Sequence, residues 1–77
     1  MAQFSVETTP EEQEVVLNVL RQLEGQVVPV STIAEKAGMR PSRTRYAIID
    51  LMEAGKVERI VAKAFNKRYI RYTYKVL

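Results

Sequence analysis

The chain has 77 residues, 47% hydrophobic and 27% charged, with three glycines and three prolines, a composition that suits one small folded domain and excludes low complexity. It contains no cysteine and no histidine, which removes disulfides, thiolate or imidazole metal ligands and the commonest general base. The net charge of +3 divides unevenly: residues 1–39 set Arg21 and Lys36 against six glutamates, a net −4, while residues 40–77 set ten Lys or Arg against Asp50, Glu53 and Glu58, a net +7. Such asymmetry marks either a face that meets a polyanion or a basic surface that is merely solvated. No apolar run approaches the roughly 20 residues of a membrane span, and the acidic N-terminal segment is unlike a signal peptide. The expectation is a cytoplasmic protein with no membrane contact, no metal and no cofactor.

Residues 1–8 show no period and read as a flexible arm ahead of a domain at 9–77, with Phe4 and Val6 able to tuck onto the domain or a partner. Thr9-Pro10-Glu11-Glu12 opens the first helix. Thr9 can cap it, Pro10 suits the first helical position, and Glu12 can reach back to complete a capping box. Val16, Val19, Leu20 and Leu23 follow at helical spacing, and Gly25 can end the helix in a left-handed conformation.

Gln26 to Val30 is rich in valine and reads as a short strand, which Pro29 confines to an edge or a two-residue bridge. Ser31 is expected to cap a second helix over Thr32 to Ala37, with Ile33, Ala34 and Ala37 inward and Gly38 as its stop. Pro41 opens a third helix running to about Ala54, with Gly55 as terminator. Thr44, Ala47, Ile48 and Leu51 share its inner face, and Ser42, Arg43, Tyr46, Ile49, Asp50 and Glu53 mostly face away. Asp50 has no basic residue three or four positions off, whereas Glu53 has Lys56 three residues on. Both acids read as electrostatic trimming of an exposed helix.

After Gly55 the sequence turns to Val, Ile, Tyr and Thr. Lys56 to Ala62 and Tyr69 to Val76 read as a β-hairpin with its tip near Phe65, Asn66 and Lys67. In the second strand Ile70, Tyr72, Tyr74 and Val76 alternate with Arg71, Thr73 and Lys75, as a strand with one buried face does. The pattern leaves the register of the first strand open. Tyr69, Tyr72 and Tyr74 read as strand and core residues, while Phe65, at the tip of a basic loop, suits ligand contact and packing equally.

Two short helices around a glycine-containing turn, the second opening with exposed polar and basic residues, form a helix-turn-helix arrangement. The stretch Val30-Ser31-Thr32-Ile33-Ala34-Glu35-Lys36-Ala37-Gly38-Met39 is similar to the first helix and turn of winged helix regulators of bacteria and phage. The run from Arg40 to Val57, with its Glu53-Ala54-Gly55, resembles their recognition helix and its exit into the wing. The resemblance covers about residues 10–76. It implies an α+β winged helix-turn-helix fold: three helices, a short strand and a C-terminal β-hairpin wing.

It also implies binding of double-stranded DNA, as a small sequence-specific transcriptional regulator. A helix fits the major groove and presents its outer face and first turns to base edges, here Ser42, Arg43, Arg45 and Tyr46. Arg40 and the helix N-terminus suit a phosphate. On the hairpin, Lys63, Asn66, Lys67, Arg68 and Arg71, with Arg59 and Lys75, can grip phosphates or enter the minor groove. Ile49 can meet a thymine methyl or another protein. A lone domain buries too little surface for high specificity, so a homodimer or a protein partner is also in view. Two alternatives stand beside this reading: a winged helix protein-interaction module in a larger assembly, and a replication or recombination accessory factor that binds DNA. No nucleophile–base pair, phosphate loop or paired carboxylates argue for an enzyme.

Overall fold

In the computed structural model, which describes residues 8–66 and 69–77 and the side chains outside 62–71, three helices precede a two-stranded antiparallel sheet. In chain order these are α1 (Pro10–Gln22), α2 (Val30–Ala37), α3 (Pro41–Glu53), β1 (Val57–Asn66) and β2 (Tyr69–Val76). The result is a small α+β domain, and none of its described helices is long and apolar enough to cross a membrane.

The capping signals work as their chemistry dictates. Thr9 Oγ1 accepts from the Glu12 amide at 3.1 Å and the Thr9 amide donates to Glu12 Oε1 at 2.9 Å, closing the capping box. The second helix departs from the sequence-based expectation, because it starts at Val30 with Pro29 at its N-cap and no capping side chain. Ser31 lies exposed inside the helix and does not cap it. Proline in extended geometry (φ −75°, ψ 161°) sets up the first turn here through its carbonyl, which accepts from the Thr32 and Ile33 amides at 3.0 and 3.3 Å. Gly38 ends α2 at φ 68°, and the bond from the Met39 amide back to the Ala34 carbonyl (3.0 Å) closes the turn.

The expected strand at 26–30 does not form. Residues 26–29 adopt no regular structure, and Gln26 is bonded otherwise: its amide donates to Leu23 O at 2.9 Å, and its carbonyl accepts from Thr73 Oγ1 at 3.0 Å. Pro29 has no amide to give a ladder, and α2 has already taken its carbonyl. A side-chain bond from β2 thus holds the segment where a strand pair was expected.

One core joins every element. Val16, Leu17, Val19, Leu20 and Leu23 from the α1 region meet Ile33 of α2, Ala47, Ile48 and Leu51 of α3, Val57 of β1 and Tyr74 of β2. At roughly 1.5–3 kcal/mol for each large aliphatic side chain buried, this cluster outweighs any single polar contact in the molecule. Thr44 is fully buried in the same layer, and its hydroxyl is satisfied by donating to Arg40 O at 2.9 Å.

β1 reaches Asn66, four residues beyond the expected end at Ala62, and pairs with β2 from Val57↔Val76 to Asn66↔Tyr69. The register slips twice, between Val61 and Lys63 and between Ala64 and Asn66, so β1 carries two bulges. Below them Val57, Arg59 and Val61 share a face with Val76, Tyr74 and Tyr72, while Glu58 and Ile60 lie opposite Lys75 and Thr73 on the other.

Candidate functional site

The surface of interest is built on α3. Its inner positions, Thr44, Ala47, Ile48 and Leu51, are buried, so rotation about the helix axis is fixed and the opposite side must face solvent. That side presents Ser42, Arg45, Tyr46, Ile49 and Glu53, with Arg40 and Pro41 at the exposed N-terminus. Tyr46 and Ile49 are each 39% exposed, large groups left uncovered on a helix whose inner face is fully used. No side chain caps the N-terminus of α3.

Arg43 and Asp50 belong to neither face. Seven residues apart, they stand on the flank of α3 that meets the start of α1. Arg43 grips the Glu12 carboxylate with two prongs, Nη2 to Oε1 at 2.6 Å and Nε to Oε2 at 3.1 Å. Those bonds, with the Thr9 amide, hold the Glu12 carboxyl down at about 2, and the Arg43 guanidinium is raised in return. Arg43, expected among the outward base readers, is instead half-buried and engaged within the domain. Asp50 is likewise no mere surface trim. Its Oδ2 accepts from both the amide (3.1 Å) and the hydroxyl (2.7 Å) of Thr8, and these bonds lower its pKa.

Thr8 itself is 6% exposed, and Gln13 Nε2 donates to its carbonyl and hydroxyl at 3.2 and 3.0 Å. The last residue assigned to the N-terminal arm is therefore fastened to α3. Phe4 and Val6 lie outside the described residues. Glu53 makes no ion pair with Lys56 and stays exposed.

The base of the hairpin faces α3 across a groove of about 270 Å³ lined by Val30, Arg45, Ile48, Ile49, Arg59, Tyr72 and Tyr74. Arg59 lies over the Tyr72 ring, with its guanidinium carbon 4.4 Å from the centroid, a cation–π contact that holds the charge in place. Burial pushes the Tyr74 hydroxyl up, and the neighbouring Arg59 partly opposes that shift. Two guanidiniums thus border a largely apolar groove, and among the described residues its lining includes no carboxylate.

Of the expected site residues, Arg40, Ser42, Arg45 and Tyr46 are exposed at the start and on the outer side of α3. The side chains of Lys63, Asn66 and Arg71, and the whole of Lys67 and Arg68, lie outside the described residues; so does the side chain of Phe65. The backbone register sets Lys63 opposite Arg71 on the hairpin beyond the groove. Arg59, counted in the sequence only as one more hairpin cation, is placed by its pairing with Tyr74 at the groove's edge. Val30 enters the lining because α2 starts one residue before the expected cap. Among the described residues no group of three or more Asp or Glu gathers as a metal site. No protein-family model, curated protein or solved structure matches the chain.

Proposed function

We propose that this domain is a winged helix-turn-helix module that binds double-stranded DNA, with α2 and α3 as the helix-turn-helix and the β1–β2 hairpin as its wing. The observation that carries the reading is the continuity of the surface: Arg45 and Ile49 of α3 share one groove with Arg59 and Tyr72 of the hairpin. A helix inserted in the major groove brings such a hairpin against the flanking backbone, where fixed guanidiniums neutralise phosphates.

Arg45 takes the reading role through a bidentate pair with guanine O6 and N7, worth about 1–3 kcal/mol of discrimination, and Ile49 suits a thymine methyl. Tyr46 and Ser42 add polar contacts at the first turns, while Arg40 and the uncapped helix start receive a phosphate. A regulator that reads sequence fits this mixture of polar and apolar groups on the helix better than a purely electrostatic binder, which needs only cations.

Fluorescence anisotropy with a randomised duplex pool, followed by selection and sequencing, tests the proposal. The expected result is a steep fall of affinity with salt and an enriched motif that Arg45→Ala degrades. Absence of duplex binding at low salt overturns the DNA reading. Binding without any enriched motif overturns the sequence-reading part.

A further inference from the structure

The groove between α3 and the hairpin has a chemistry that duplex DNA does not use in full. Its floor and walls are apolar: Ile48 is buried, Val30 half-buried, Ile49 partly exposed, and the Tyr72 and Tyr74 rings close the hairpin side. Among the described residues its charges are Arg45 and Arg59, with no carboxylate in the lining to neutralise them. A phosphodiester can satisfy the guanidiniums, but it is hydrated and brings no apolar body to cover Val30, Ile48 and Ile49. The occupant that matches both halves is a small organic anion with a flat apolar body and one carboxylate.

We propose that the groove is a binding site for a small aromatic carboxylate, with the ring against Val30, Ile48 and Ile49 and the carboxylate between Arg45 and Arg59. Size limits the ligand, since about 270 Å³ lies just below the usual range of small-molecule pockets and admits a single ring with short substituents. Arg59 is prepared for the role. Stacked on Tyr72, it has already given up much of its side-chain freedom, so holding it in a fork-to-carboxylate bond costs less than holding a free arginine. Arg45 and Ile49 also serve the proposed DNA contact, so ligand and duplex exclude one another; this consequence alone rests on the DNA reading.

The test is a titration of the whole chain, followed by amide and methyl NMR shifts, with benzoate, acetate, benzyl alcohol and inorganic phosphate in turn. Benzoate is expected to shift Ile48, Ile49 and Val30 methyls saturably, with acetate, benzyl alcohol and phosphate each at least about tenfold weaker, as loss of either the apolar body or the charged pair implies. Arg59→Ala and Arg45→Ala should each weaken benzoate by about tenfold or more, with Arg59→Lys, which keeps the charge without the fork, in between. Arg45→Ala changes an exposed helix residue and keeps the test meaningful if Arg59→Ala disturbs the hairpin.

Equal affinity for acetate or phosphate overturns the proposal in favour of a simple anion patch. So does benzoate binding elsewhere, or binding that both alanine variants leave unchanged. Because the titration contains no DNA, its failure is separate from failure of the DNA reading. A duplex added afterwards should be displaced by saturating benzoate, and a stable ternary complex refutes the exclusion.

Discussion

Asp50→Ala tests whether the start of the domain is fastened to α3 by the pair of bonds to Thr8. In the parent, one carboxylate oxygen takes two donors, an amide at 3.1 Å and a hydroxyl at 2.7 Å, both from a residue only 6% exposed. A hydrogen bond to a charged acceptor contributes about 1.5–3 kcal/mol, and removal of the acceptor strands a buried amide. Asp50 is partly exposed and water can replace some of what is lost, so the expected destabilisation is about 2 kcal/mol in total. In a domain of this size that lowers Tm by roughly 10 °C.

Thr8→Ala removes the hydroxyl arm together with the bond that hydroxyl accepts from Gln13, and should cost about 1 kcal/mol, with the double-mutant cycle isolating a coupling of similar size for the arm to Asp50. Thermal and urea unfolding followed by circular dichroism measure all four proteins. The reasoning fails if Asp50→Ala unfolds within about 0.5 kcal/mol of the parent, or if the two substitutions simply add. The first result would mean that ordering residue 8 costs as much as its bonds return, and the second that the bond between the Thr8 hydroxyl and Asp50 contributes nothing.

The neighbouring Glu12–Arg43 pair gives a pH signature. The folded Glu12 carboxyl lies at about 2, below its unfolded value, so its contribution is full above the unfolded value and is lost as pH falls toward 2. Asp50 is lowered too and acts in the same direction. Tm should therefore fall on acidification from pH 5 to pH 2, and Glu12→Gln should flatten that slope; a Glu12→Gln profile parallel to the parent contradicts the assignment. Gly38→Ala meets no atom within 4 Å of the new Cβ, so only the left-handed backbone at φ 68° resists it. That costs about 1 kcal/mol, or a Tm lower by roughly 4–8 °C. Ile33→Ala empties a position with no exposure at all, where α2 joins the core. At about 2–5 kcal/mol it should leave the chain largely unfolded in mild urea, which far-ultraviolet circular dichroism reads directly.

What the sequence revealed and what it concealed follow from the range of the forces. Helix starts and stops are local: Thr9, Pro10 and Glu12 form their box within four residues, and Gly38 and Gly55 mark turns at φ 68° and 73°. The inner face of α3 was equally legible, because burial repeats at 3.6 residues and Thr44 can satisfy its hydroxyl on its own helix. No strand forms at 26–30 because valine-rich composition reports only a preference, while the choice between ladder and turn rests on Pro29 and on a side chain 47 residues away, Thr73. The first hairpin strand runs past the end its sequence pattern marks because two bulges break the alternation by which strands are recognised.

The misassignment of Arg43 and Asp50 has the same root and bears on function. On a helical projection both sit about a quarter turn from the exposed crest of α3, close enough to be counted with it. Only the arrival of Glu12 from α1 and of Thr8 ahead of it distinguishes flank from crest. The basic second half is consequently not a uniform reservoir of charge: Arg43 is matched to Glu12, while Arg45 and Arg59 border a groove with no carboxylate among its described lining residues.

If duplex binding draws on the crest, the two arginines of α3 must separate in experiment. Arg45→Ala should weaken binding and degrade the selected motif while leaving Tm near the parent value, since its side chain is exposed. Arg43→Ala should lower Tm and leave the slope of log affinity against log salt unchanged, whereas loss of a true phosphate contact reduces that slope by about one. A salt slope that falls with Arg43→Ala would mean that DNA draws the guanidinium away from Glu12, and that the strap between α1 and α3 opens on binding.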